Sequence, residues 1–104
     1  MPTVPPSVTL LLGELAHPVR LPVLLALEER PRSPSELAED LDEPFHRVNH
    51  AVKSLARAGL LDMVRQERSV NAPNIYRRVY ASRYSGWQQL ADALQRIAAT
   101  ADAG

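Results

Sequence analysis

The sequence predicts a mainly α-helical domain that carries one small β-hairpin. Apolar residues recur at helical spacing in several separate segments, and residues that start and stop helices stand at the ends of those segments. One stretch rich in β-branched and aromatic residues, broken by turn formers, lies ahead of the last helical segment. With 104 residues, 45% hydrophobic and 23% charged, the chain fits one globular domain with a single modest core.

The opening "MPTVPP", residues 1–6, is a proline-rich lead that is expected to be flexible, with the domain proper over 7–103. Ser7 is the expected cap of a first helix to about Ala16, with Val8, Leu11, Leu12 and Leu15 on one side and Gly13 weakening it. A second helix is expected from Pro18 to about Arg30, where Pro22 removes a backbone donor and distorts or delays the first turn. "SPSELAEDL" holds the clearest start signal: Ser33 as N-cap, Pro34 as first helical residue, and Glu36 completing a capping box. That helix ends near Leu41. Pro44 opens a fourth helix that runs to Ala58 and stops at Gly59, whose freedom suits a left-handed C-cap. "LLDMVRQE" and "IYRRVYAS" are the strands of a hairpin joined by "RSVNAPN". Ser85 is the expected cap of a final helix, residues 85–103. There Trp87, Leu90, Leu94, Ile97 and Ala101 follow at steps of 3, 4, 3 and 4, the spacing of a coiled-coil seam.

The formal net charge is zero, but its distribution is uneven. Residues 1–43 hold three arginines against eight acids, whereas residues 44–84 hold eight Lys/Arg against two acids, Asp62 and Glu67. Such a contrast within one domain predicts a basic face. The absence of cysteine excludes disulfides and thiolate metal sites. No apolar run approaches the 18 or more residues of a membrane span, so no membrane partner and a cytoplasmic location are expected. There is no Gly-rich phosphate loop and no nucleophile motif, and no enzymatic activity or cofactor is expected.

On a helical wheel, Val48, Val52 and Leu55 of the fourth helix share one side within about 60°. Opposite them lie His46, His50, Lys53 and Arg57, flanked by Arg47 and Asn49. A short helix, a tight turn and a second helix with a basic outer stripe make a helix-turn-helix, whose second helix enters the major groove of DNA. The hairpin adds Arg65, Arg68, Arg77, Arg78 and Arg83. About half of these are expected on phosphates, the rest solubilising a strand edge. His46 and His50, one turn apart, are open to DNA contact, to plain solvation, or to weak metal chelation. Beside a phosphate their charged forms are favoured, so binding is expected to tighten as the pH falls.

The stretch "AHPVRLPVLLALEERPRSPSELAEDLDEPFHRVNHAVKSLARAGLL" resembles the ArsR-type winged helix-turn-helix regulators. "HPVRL" opens the second helix, "SPSELAEDL" is the positioning helix, and "VNHAVKSLARAGLL" is the recognition helix running into the wing. With the hairpin and last helix the resemblance spans roughly residues 8 to 102. It implies a homodimeric repressor or other regulator of transcription, with recognition helix 44–58 in the major groove and wing 61–82 on the backbone. Phe45, His46, Arg47, Asn49 and His50 are then the residues at the start of the recognition helix that face double-stranded DNA. Lys53, Arg65, Arg68, Arg77 and Arg78 join them as candidate DNA-binding residues. The resemblance also implies pairing through the first and last helices, here Leu11, Leu12, Leu15, Trp87, Leu90, Leu94 and Ile97. The DNA-binding core, residues 17–82, is small enough to need such outside burial.

Two departures stand out. Pro22 replaces a helix-compatible polar residue, and the cysteine pairs or His–acid clusters of the metal-sensing members are missing. A tight zinc or nickel site wants three or four converging ligands, so a metal site is not expected. No pattern identifies a small-molecule effector, and Trp87 with Tyr84 is open to a place in the core or in an effector pocket. A different class of function also stays open, a winged helix used as a protein-interaction or assembly module without a DNA operator.

Overall fold

The computed structural model describes residues 6–68 and 76–103. Five helices and one hairpin follow in the expected order: α1 Pro6–Leu15, α2 Arg20–Glu29, α3 Pro34–Leu41, α4 Phe45–Arg57, β1 Leu61–Arg68, β2 Tyr76–Ser82 and α5 Trp87–Ala103. This is the winged helix-turn-helix architecture. The flexible lead expected over 1–6 lies outside the described residues except for Pro6, which is already helical. Most of the turn between the strands, residues 69–75, also lies outside them.

One side of each of α2, α3 and α4 builds the core. Leu24, Leu27, Leu37, Leu55, Val23, Val48, Val52 and Val79 are fully buried. Val48, Ala51, Val52 and Leu55 are the buried residues of α4, so the apolar side read from the sequence is the side that faces inward. Leu15 of α1 and Trp87 of α5 are buried in the same cluster, which fastens both terminal helices to the central three.

Helix starts explain most differences from the sequence reading. Helix α1 begins at Pro6, so Ser7 lies inside it rather than capping it. Helix α2 begins at Arg20, two residues after Pro18, because His17 Nδ1 accepts the Val19 N–H at 3.2 Å and holds the chain in a turn. Pro22 then falls in the first helical turn, where backbone N–H groups have no intrahelical acceptor, and its missing donor leaves nothing unpaired. Helix α5 begins at Trp87, and its cap is not Ser85. The Glu28 carboxylate of α2 accepts the N–H groups of Gly86 and Gln88, the latter at 3.1 Å. A carboxylate at a helix N-terminus satisfies orphan donors and faces the positive end of the helix dipole.

The capping box of α3 forms as expected. Glu36 N–H donates to Ser33 Oγ at 3.3 Å, and Ser33 N–H donates to Glu36 Oε1 at 3.1 Å. Asp42, in the left-handed region at φ 52°, ends α3 and sets the tight turn to α4. Since Ser33 is fully buried, Ser33→Ala is expected to lower stability by about 1–2 kcal/mol. A urea denaturation series checks this through the midpoint, with the slope unchanged.

Strands β1 and β2 pair antiparallel from Leu61↔Ser82 to Arg68↔Tyr76, with a bulge at Val64 between Met63 and Arg65. The hairpin is tied back to the helices at Arg32, whose backbone exchanges two hydrogen bonds of 3.0 Å with Tyr80. The nearly buried Arg32 guanidinium lies 3.4 Å from both Glu29 and Asp40, which compensates its burial. Among the described residues no single helix is long and apolar enough to cross a membrane.

Candidate nucleic-acid interface

Helix α4 presents a polar outer surface because its apolar residues are confined to the core side. His46, Arg47, His50, Lys53 and Arg57 are exposed, Asn49 is half-buried, and Phe45 is 51% exposed. The fold divides this surface in two. Phe45, Asn49 and Lys53, at steps of four, form one wall of a groove of about 430 Å³. Tyr76, Arg77, Arg78 and Tyr80 of β2 line it opposite, with Pro34 and Ser35 of α3 at one end. His46 and His50 lie outside this groove. Arg57 belongs elsewhere, in a separate cavity with Glu14, Arg20, Ser54 and Ala58. The structure thus joins Lys53 to two wing arginines and takes Arg57 away from them.

The arginines differ in what they already hold. Arg65 Nε donates to Glu67 at 2.7 Å and Arg77 reaches the other oxygen of the same carboxylate at 3.4 Å. The hydrogen bond from Arg65 is the main reason the Glu67 carboxyl lies below its usual range. Desolvation opposes it, and the charges of Arg65 and Arg77 add to the lowering. Arg47 is 3.5 Å from Glu43 one turn earlier. Arg83, from the end of the hairpin, bonds Asp62 Oδ1 at 2.9 and 2.8 Å, and this carboxylate raises its pKa. It therefore fastens the base of the hairpin. Arg68 donates to the Tyr76 hydroxyl at 3.3 Å with its guanidinium 5.8 Å from that ring. Lys53 and Arg78 have no ion-pair partner among the described residues.

Glu67 places a fixed negative charge between two cations of the wing. Like any carboxylate it is ionised in the neutral range, where it competes with any anion approaching those arginines, and the hydrogen bond from Arg65 extends that charge toward lower pH. Glu67→Gln is expected to raise affinity for duplex DNA about three- to tenfold near 0.1 M salt, mainly through faster association. Stopped-flow anisotropy measures the change.

Helices α1 and α5 leave apolar side chains uncovered. Leu12, Leu94 and Ile97 are exposed, Ile97 by 64%, and Leu11 and Leu90 are half-buried against the core. Val8 and Leu10 extend the exposed apolar surface of α1. Leu15 and Trp87, expected alongside them, are instead core residues of the chain itself. Trp87 Nε1 donates to Ser82 Oγ at 3.1 Å, while Tyr84 is exposed, so the two do not line one buried pocket. No group of three or more His, Asp or Glu side chains converges among the described residues.

Sequence reasoning missed the partners that complete the groove. Tyr76, Tyr80, Pro34 and Ser35 carry no signal for it, because it is made by a strand and two helices that meet only in the fold.

The helix-turn-helix domain family matches residues 15–64, which hold α2, α3, α4 and the start of β1. No curated protein matches the chain in sequence. Among solved structures, the transcriptional repressor BigR of Xylella fastidiosa is similar at 27% identity and a TM-score of 0.65, covering 88% of this chain and 83% of that one. HlyU of Vibrio cholerae is similar at 20% identity and a TM-score of 0.67, with 88% of each chain covered. The homodimeric winged helix-turn-helix DNA-binding domain Mb0332 of Mycobacterium bovis matches at 18% identity and a TM-score of 0.64, covering 94% of this chain and 90% of that one. With the helix-turn-helix in place, the hairpin behind it and a helix at each end, the chain has the winged helix-turn-helix fold that these structures share.

Proposed function

We propose that this protein is a homodimeric, sequence-specific DNA-binding regulator of transcription that acts as a repressor. The observation that carries the reading is the groove between α4 and β2, where Lys53 and Arg78 stand beside Asn49 without carboxylate partners among the described residues. Helix α4 enters the major groove with Phe45, His46, Arg47, Asn49 and His50 toward base edges. Lys53 and the wing residues Arg65, Arg68, Arg77 and Arg78 take phosphates, which supply most of the affinity and little of the specificity. Residues 17–82 are the DNA-binding core. Helices α1 and α5 pair with a second copy through Leu11, Leu12, Leu90, Leu94 and Ile97, with Leu15 and Trp87 supporting that surface from beneath. The homodimeric M. bovis domain supports the pairing, and the similarity to BigR supports repression. No cysteine-based metal sensing is possible without a cysteine.

Fluorescence anisotropy with duplex DNA from upstream of the protein's own gene, against scrambled duplex, tests the reading. Affinity is expected to fall on a log–log salt plot with a slope near −0.9 per phosphate neutralised, and to favour the native duplex. A flat slope on both duplexes points to the other class, a winged helix that docks proteins. That class has less support, since protein-docking surfaces are depleted of charge at their centre.

The same assay carries a pH prediction. Imidazole changes charge between pH 5 and 8, and the negative potential inside the DNA groove favours the charged form. DNA binding is therefore expected to tighten as the pH falls from about 8 to 6. His46→Gln with His50→Gln is expected to abolish that dependence. Its persistence in the double variant excludes both histidines from the interface.

A further inference from the structure

We propose that Phe45 is a specificity-determining residue that reads the C5-methyl group of a thymine in each half-site. The inference rests on the DNA-binding reading above and assigns a role to a side chain that the core does not use.

Phe45 is the first residue of α4 and is 51% exposed. The core takes Val48, Ala51, Val52 and Leu55 from this helix and does not include Phe45. Around Phe45, the start of α4 carries hydrogen-bonding side chains, the exposed His46, Arg47 and His50 and the half-buried Asn49. An aromatic ring half in water among them gives up favourable burial in the free protein and regains it when an apolar group covers it. In the major groove only one base edge offers such a group. Thymine carries a C5-methyl, whereas the edges of adenine, guanine and cytosine present only donors and acceptors.

The lining of the groove sets the register. Phe45 and Asn49 stand on the same wall, four residues apart. Four residues of helix rise about 6 Å, and stacked base pairs rise about 3.4 Å. An α-helix lying along the groove therefore brings the two side chains to bases about two pairs apart. Asn49 is suited to the N6 and N7 atoms of adenine, which it can engage with two hydrogen bonds. The expected half-site holds a thymine whose methyl meets Phe45, with an adenine for Asn49 about two base pairs away.

The test begins with operators selected from random duplexes by the intact protein. Each thymine of the selected half-site is then replaced by deoxyuridine, which removes the methyl and keeps every hydrogen-bonding group. One position per half-site is expected to weaken binding about fourfold, the worth of one buried methyl group, and both together about 15-fold. In Phe45→Ala that sensitivity is expected to vanish while the salt slope stays the same. Phe45→Leu keeps an apolar contact and is expected to retain part of it, which guards against an alanine variant that folds poorly. Sequence preference with no uracil-sensitive position overturns the role of Phe45 and leaves the regulator reading standing. Uracil sensitivity that survives in Phe45→Ala does the same. Failure to select any sequence, with no salt-dependent binding, overturns both.

Discussion

Replacing Leu94 and Ile97 together with glutamate is expected to yield a folded monomer whose affinity for its operator is lower by about 100-fold or more. Both residues are exposed on α5, outside the core cluster, so two new carboxylates there remove no buried contact within the chain. In the paired state the same positions would bury four carboxylates in an apolar seam, a desolvation cost that no ion pair on that stripe offsets. The DNA consequence follows from avidity. When two recognition helices are held in one particle, the second half-site binds as an intramolecular event, an advantage of about 10²–10⁴ that a monomer loses. Sedimentation velocity reads the mass and anisotropy reads the affinity. Circular dichroism is expected to be unchanged. A variant that stays dimeric places the interface elsewhere, and a monomer that keeps full affinity removes the two-half-site geometry.

Reversing the charge at Lys53 and Arg78 is the second large effect. Lys53→Glu with Arg78→Glu is expected to weaken DNA binding by more than about 100-fold near 0.15 M salt. The salt slope is expected to fall in magnitude by about 3 to 4, from two lost phosphate contacts in each half of a dimer. These two cations are singled out by what surrounds them. Arg65 and Arg77 share Glu67, Arg47 is near Glu43 and Arg83 holds Asp62, whereas Lys53 and Arg78 have no carboxylate partner among the described residues and line the same groove. Folding stability is expected to change by no more than about 0.5 kcal/mol, since both side chains are exposed and neither holds an ion pair. A urea midpoint alongside the salt series separates lost contacts from lost folding. Unchanged affinity would move the phosphate contacts off this face.

Much of the fold was legible because its signals are local. Ser33, Pro34 and Glu36 form a capping box within one turn, so the start of α3 is encoded in four consecutive residues. The buried side of α4 follows from the spacing of Val48, Val52 and Leu55, and Gly59 at φ 81° ends the segment where a side chain is strained. The starts of α2 and α5 were less legible because their caps are unusual or distant. Val19 is held by a histidine ring, and the start of α5 is held by Glu28, far away in the chain. No reading of Ser85 and its neighbours contains that partner.

The sequence by itself determined the order of elements, the inward side of the central helices and the concentration of positive charge between residues 44 and 84. Each of these depends on periodicity, local hydrogen bonding or composition, which act over a few residues. Only the tertiary structure decided which of those charges is available. It brought Lys53 and Arg78 into one groove, gave Arg83 to Asp62, turned Arg57 toward α1 and α2, and drew Leu15 and Trp87 into the core while leaving Ile97 outside. The physical reason is that ion pairs and burial depend on distances between side chains, and those distances exist only once the hairpin has folded back on the helices.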